Sequence, residues 1–390
     1  MAKKRIGVLT GGGDVPGLNS AIKQIVSAGN DEGFKIIGIR RGWEGLTHLN
    51  LQDPISKERY VMPLTVENTR TIDRTGGTIL HTSRTNPTKI KAIPEHLKDL
   101  DFPNKETASG TTYDLTKQVL HNLEALRLDS LISIGGDDTL SFSSILSGLG
   151  VRVVAIPKTM DNDVRNTEYC IGFSTAITRA VDAIQRQRST VGSHERVGIF
   201  RVFGRDAGYT SLYTAYVTSI RCAIPEYKFD LEKMIELLLS DRRSNPSNYS
   251  LVVLSEGAEW AGYSLREYGI ADGFGHRKKA NVGEDFGEEL QKRTRTETVI
   301  SDLTYELRSG EADFTDKMIA STFGYMAVEC IKHNESGVMT AIANGCYAVV
   351  PIPEAKLGPR PIDVASMYDT ERYQPRFSKK AGMPVFLTRA

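Results

Sequence analysis

Short apolar runs, each followed by a polar loop and then by residues at helical spacing, recur in this chain of 390 residues. Residues 5–10 run into Gly11-Gly12-Gly13, and residues 18–28 then place Leu18, Ile22, Ile25 and Val26 on one stripe. Residues 34–39 form the next run. Residues 114–126 carry Leu115, Val119, Leu123 and Leu126 on one face, followed by a run at 131–134, helical spacing at 140–146 and another run at 151–156. Runs this short suit strands, and a helix between consecutive runs suits parallel neighbours. The pattern predicts an α/β fold, with a parallel sheet and helices on its faces. Further on, 174–188, 207–218, 231–239 and 314–331 read as helices. Residues 197–200, 250–254, 338–342 and 348–350 read as strands, and 258–282 as an irregular polar excursion.

The length exceeds what one hydrophobic core usually serves, so two domains are expected. A net charge of +1 gives no long-range pull towards nucleic acid or a membrane surface. No apolar run approaches the roughly 20 residues of a membrane span. The start, Met1-Ala2-Lys3-Lys4-Arg5, is basic, but the apolar stretch after it is too short for a secretion signal. Cys170, Cys222, Cys330 and Cys346 are scattered without metal-binding spacing. A cytoplasmic chain with reduced thiols is the simplest expectation.

Ligands of such sheets bind at the carboxyl ends of strands. Each polar cluster here follows a predicted strand, so all should meet on one face. Gly11-Gly12-Gly13-Asp14-Val15-Pro16-Gly17 opens a helix, and its glycines suit either a tight turn or close approach to a phosphate. Gly135-Gly136-Asp137-Asp138-Thr139 places two carboxylates in a loop before a helix. One suffices for capping; Asp137 suits a Mg²⁺ ion whose shell substrate phosphates complete. Asp138 adds charge and bulk where a nucleotide's α-phosphate would lie. In Pro157-Lys158-Thr159-Met160-Asp161-Asn162-Asp163, Lys158 suits neutralisation of phosphate. Asp161 suits a base that takes a proton from an attacking alcohol. Asp163 suits orientation of the site or a turn. Arg196, Arg201 and Arg205 flank the strand at 197–200, and Arg205 stands in the Gly-flanked Phe203-Gly204-Arg205-Asp206-Ala207-Gly208. An arginine there can bind phosphate in bidentate fashion and stabilise transition-state charge. Glu256, closing the strand at 250–254, can hold sugar hydroxyls or cap a turn. Together these groups are the equipment of phosphoryl transfer, where catalysis is mostly positioning and electrostatics.

Taken in order with Ile171-Gly172-Phe173-Ser174-Thr175-Ala176 and Ser255-Glu256-Gly257, these motifs resemble those of the phosphofructokinase family over most of the chain. The resemblance implies two Rossmann-like, three-layer α/β domains with the active site in the cleft between them. Residues 1–172 would form the donor domain and 173–390 the sugar-phosphate domain, with C-terminal segments crossing back to the first. It implies Mg²⁺, held by Asp137, and transfer of phosphate to O1 of fructose 6-phosphate. Gly12, Gly136 and Arg84 would contact the donor, with Lys158, Thr159 and Asp138 beside the transferred group. Asp161 would accept the proton, alongside Asp163. Phe203, Gly204 and Glu256 would line the sugar. Arg205 would touch the sugar phosphate and the transition state. Arg196 would reach the 6-phosphate across a subunit interface, making the protein a homodimer or homotetramer.

Members that use ATP usually have glycine at the place of Asp138 and commonly lack a lysine at that of Lys158. Members that use pyrophosphate have both. The resemblance therefore implies pyrophosphate as donor and a near-reversible reaction. Late in the chain the family's glycine-histidine-x-x-arginine-glycine-glycine run is replaced by Thr304-Tyr305-Glu306-Leu307-Arg308-Ser309-Gly310. Tyr305 and Arg308 match its sugar-phosphate residues. An arginine usual six residues earlier falls on Val299, with Arg295 out of register, so a longer ketose phosphate such as sedoheptulose 7-phosphate stays open beside fructose 6-phosphate. Three other readings compete. One is an ATP-dependent phosphofructokinase, one a lipid or NAD kinase with its own Gly-Gly-Asp loop, and one a non-catalytic regulatory subunit. The early glycine loop and Phe203-Gly204-Arg205 speak against the second. Retention of Asp137, Asp161 and Arg205 speaks against the third.

Overall fold

The strand Ser130–Gly135 has every residue buried, as a strand covered by helices on both faces must. It lies at the centre of a seven-stranded sheet in the computed structural model, which describes residues 3–107, 110–269, 275 and 277–376. Across that sheet run Cys346–Pro351, Val338–Ala343, Val153–Pro157, Ser130–Gly135, Arg5–Thr10, Lys35–Ile39 and Val61–Leu64. The inner five are parallel and the two edge strands antiparallel. A second sheet runs Thr298–Asp302, Val197–Val202, Ser250–Ser255 and Arg221–Ala223, all parallel. The predicted α/β class is what the chain adopts.

Helix Phe314–Lys332 brings the chain back from the second sheet to the first, packing on Leu18–Asp31 before Val338–Ala343 pairs with Val153–Pro157. Asp316, fully buried in its first turn, fixes this return. It accepts hydrogen bonds from Tyr169 Oη, the Gly172 and Thr175 amides and Thr175 Oγ1, at 2.6–2.8 Å. Two of those donors are backbone amides at the start of helix Phe173–Ser193, whose N-cap is Gly172, so one carboxylate ties two helices together.

Several elements differ from the sequence reading. Asp137 and Asp138 occupy the first turn of helix Asp137–Gly148 rather than a loop ahead of it, because Gly136 takes the N-cap position. Helix Phe173–Ser193 runs five residues past its predicted end, and Tyr209–Thr218 starts two residues late. Helices Trp43–His48, Pro54–Tyr60 and Val282–Thr294 and strands Val61–Leu64 and Thr298–Asp302 went unread. Within 258–282, residues 270–274 and 276 lie outside the described residues, as do 377–390 of the second predicted domain. The described remainder of 258–282 includes a short antiparallel pair, Glu267–Tyr268 with Lys278–Lys279. No helix among the described residues is long and apolar enough to cross a membrane.

Candidate active site

The loops at the carboxyl ends of five strands from both sheets meet around one cleft of about 350 Å³. Gly12, Gly13 and Asp14 come from the loop after Arg5–Thr10. Gly136, Asp137 and Asp138 follow Ser130–Gly135, and Lys158, Thr159, Asp161 and Asp163 follow Val153–Pro157. Phe203, Arg205 and Asp206 follow Val197–Val202, and Glu256 follows Ser250–Ser255. Arg84 and Arg308 complete the cationic side.

Gly12 turns through the left-handed region at φ 78°, which glycine enters without steric cost. A Cβ there would sit 3.4 Å from Lys158 Nζ. The lysine is only 3% exposed and donates to the Gly13 carbonyl at 2.6 Å. Burial brings its pKa down to about 8. A buried ammonium beneath a glycine loop is costly unless an anion arrives to pair with it. Thr82 Oγ1 donates to the Gly12 carbonyl and the Gly12 amide to the Ser83 carbonyl, and these bonds carry Arg84 over the same loop.

Carboxylates dominate the opposite wall. Burial, then the charges of Asp163 and Asp138, push Asp137 up to about 8. Burial, with Asp163 and Glu256 behind it, pushes Asp161 well above the carboxylate range. Burial also lifts Asp163, to about 6. Asp161 Oδ1 is buried with no hydrogen-bond partner among the described residues, and its amide is held by Thr159 Oγ1 at 3.1 Å. An unpartnered carboxylate oxygen facing a cleft is a proton acceptor at hand. Among the described residues no cluster of three or more His, Cys, Asp or Glu forms a ready-made metal cage. The chemistry still fits Mg²⁺, which takes one or two carboxylates and fills its shell from substrate phosphates and water. Burial, with the neighbouring carboxylates behind it, raises Asp137's proton affinity, and a divalent cation would offset that charge.

On the second sheet's side, Gly204 has φ 121° and its Cα faces the Ala207 carbonyl so closely that a Cβ would lie 2.8 Å from it. This tight turn presents Arg205, whose Nη2 donates to the Arg277 carbonyl. Glu256 is met by Arg201 Nη2 at 3.6 Å, and Arg201 in turn binds Asp302 at 2.6 Å. Arg308 lies 4.6 Å from the Tyr305 ring centre and 6.0 Å from that of Phe203, with its Nε 3.6 Å from Asp14.

Most sequence-predicted residues thus share the cleft. Gly204 lies just behind its wall. Tyr305 is 65% exposed and stacks on Arg308 instead of lining the cleft. Arg196, at the foot of Val197–Val202, is outside it and paired with Glu297 at 2.6 Å. Sequence reasoning missed Gly13, Asp14, Val15, Thr139, Ser141, Met160, Asp206, Gly358 and Pro359 as lining residues. Asp14 and Asp206 stand inside motifs already singled out and were legible there. Gly358 and Pro359 carry no motif, and tertiary folding alone brings them in.

The family model for phosphofructokinase matches residues 5–331. A pyrophosphate–fructose 6-phosphate 1-phosphotransferase of Dictyoglomus thermophilum is 36% identical over 348 residues, 88% of this chain and 90% of its own. An ATP-dependent 6-phosphofructokinase of Streptomyces coelicolor is 34% identical over 354 residues, 90% of this chain and 94% of its own. In three dimensions the chain superposes on a pyrophosphate-dependent phosphofructokinase of Marinobacter aquaeolei with a TM-score of 0.73 at 16% identity, covering 99% of this chain and 96% of that one. With its strand-end loops gathered at one cleft and its sequence matched from residue 5 to residue 331, the chain belongs to the phosphofructokinase family.

Proposed function

We propose that this enzyme transfers a phosphoryl group from pyrophosphate to O1 of fructose 6-phosphate, reversibly and with Mg²⁺, giving fructose 1,6-bisphosphate and phosphate. The observation that carries the donor assignment is that Asp138 and Lys158 both line the cleft. Lys158, buried beneath the glycine loop, meets the charge of a small donor at close range. Asp138, in the first turn of its helix, repels and crowds the α-phosphate of a nucleotide. Gly12, Gly136 and Arg84 hold the donor. Asp137 would hold Mg²⁺, which supplies charge neutralisation on the phosphates when bound. Asp161 accepts the O1 proton as the alcohol attacks phosphorus, Thr159 braces its amide, and Arg205 faces the charge that spreads over the transferring group. Phe203, Glu256 and Arg308 bound the sugar. Because one P–O–P bond is exchanged for one phosphate ester without nucleotide, the equilibrium lies near balance.

Residues 1–172 serve as the donor half and 173–390 as the sugar-phosphate half in this reading, with the strand pairing of Val338–Ala343 supporting a crossing back to the first. Arg196, outside its own cleft, acts on the 6-phosphate of a neighbouring subunit, so the active form is a dimer or tetramer in the cytoplasm. A second reading, ATP as donor, is favoured by the ATP-dependent relative at nearly the same identity. Fructose 1,6-bisphosphate, orthophosphate and Mg²⁺ given to purified protein should yield pyrophosphate, followed by ³¹P resonance. Absence of pyrophosphate in that reverse direction would overturn the donor assignment.

A further inference from the structure

Residues 357–363 lie beyond the segment that the family model matches, yet they reach the floor of the cleft. Arg165 holds them in place, with Nε donating to the Gly358 carbonyl at 2.9 Å and Nη2 to that of Pro359 at 3.0 Å. From the second half, Tyr209 Oη donates to the Pro361 carbonyl and Glu226 accepts from the Ile362 amide. Gly358 and Pro359 line the cleft. Arg360 points the other way, under the turn that carries Asp161, and is 5% exposed.

That turn is conformationally demanding. Asn162 sits at φ 54°, a left-handed conformation that L-residues adopt only under restraint, though asparagine tolerates it best. Its own side chain supplies part of the restraint, donating to the Glu168 carbonyl and accepting from the Cys170 amide. Three carbonyls of the turn are gripped by Thr210 and by Arg360 of the 357–363 segment. Thr210 Oγ1 donates to Met160 O at 3.1 Å, Arg360 Nη2 to Asn162 O at 2.5 Å, and the Arg360 amide to Asp163 O at 2.6 Å. The guanidinium carbon lies over the Tyr209 ring, 4.6 Å from its centre. Lysine has neither that plane nor a fork to donate sideways while stacked.

We propose that Arg360 is a positioning residue for the reaction: by fixing the carbonyls of Asn162 and Asp163, the two residues that follow Asp161, it aims Asp161 at the acceptor hydroxyl. The proposal rests on the phosphoryl-transfer reading of the same cleft. A seat chosen for fold stability alone would satisfy the side chain. Here Nε and Nη1 are buried with no hydrogen-bond partner among the described residues, a cost that a role in holding the reacting turn explains.

The test is steady-state kinetics of the full chain and of Arg360→Met, Arg360→Lys and Tyr209→Phe, with calorimetric binding of the donor and thermal melting of each. It uses whichever donor the unmodified chain turns over, so a chain that used only ATP would overturn the donor assignment and leave this comparison standing. Arg360→Met should lower kcat about 100-fold, the scale of a misplaced reacting group, with KM and donor Kd unchanged within about threefold. Arg360→Lys should recover part of the loss, and Tyr209→Phe, which frees only Pro361, should lower kcat about threefold at unchanged KM. Should Arg360→Met fail to fold, the other two variants decide. A kcat loss without a KM change supports the proposal. An unchanged kcat in folded variants, or a loss carried by KM and Kd instead, overturns it.

Discussion

Asp161 and Lys158 are the two side chains whose chemistry is most exposed to test. Asp161→Asn keeps the shape of the side chain and removes the proton acceptor, so kcat should drop by about 10²–10⁴ while the melting temperature holds or rises, since a crowded buried carboxylate is removed. Steady-state rates beside a thermal melt check both halves. The pH profile carries a second expectation. Lys158, lowered to about 8 by burial, loses its charge as pH rises through that value, so kcat/KM for pyrophosphate should fall above about pH 8. Asp137, raised to about 8, must lose its proton to take Mg²⁺, so apparent Mg²⁺ affinity should weaken as pH falls below that value. The two limbs separate by titration: more Mg²⁺ should push the acidic limb to lower pH and leave the alkaline limb where it is. Both limbs moving together would contradict the assignments.

Among the elements, the helix return through Asp316 makes the sharpest stability claim. Asp316→Ala would strand two buried amides, the Thr175 hydroxyl and the Tyr169 hydroxyl, and should cost about 3 kcal/mol or more in urea unfolding. A loss under about 1 kcal/mol would mean that water or neighbours replace it easily. Asp316 itself was read only as part of a helix, because nothing in residues 314–331 signals partners about 140 residues away. The strands 5–10, 130–135 and 250–255 were legible because burial on both faces demands unbroken apolar runs. Thr298–Asp302, an edge strand with every residue exposed or partly so, has no such run and passed unread. Asp137 and Asp138 were read as loop residues ahead of a helix at 140–146, but the helix starts at Asp137 because Gly136, not a carboxylate, takes the N-cap. Their side chains still line the cleft.

At the scale of the whole molecule, the convergence of strand-end loops was the readable feature, since parallel sheets put all such ends on one side. What was not readable was the late return: Gly358 and Pro359 join the cleft, and Arg360 the turn that carries Asp161, through contacts that leave no local pattern. The donor assignment also belongs to this scale, because it depends on groups from two loops acting against one ligand. Asp138→Gly combined with Lys158→Gly should lower kcat/KM for pyrophosphate by about 100-fold or more and raise turnover with ATP. Undiminished pyrophosphate turnover with no gain on ATP would refute the reasoning from charge and bulk. The most direct measurement is simpler. Purified, unaltered protein is given fructose 6-phosphate and Mg²⁺ with either pyrophosphate or ATP, and fructose 1,6-bisphosphate is followed through aldolase. Turnover with pyrophosphate and none with ATP is expected, whereas turnover with ATP alone would contradict the roles given to Asp138 and Lys158.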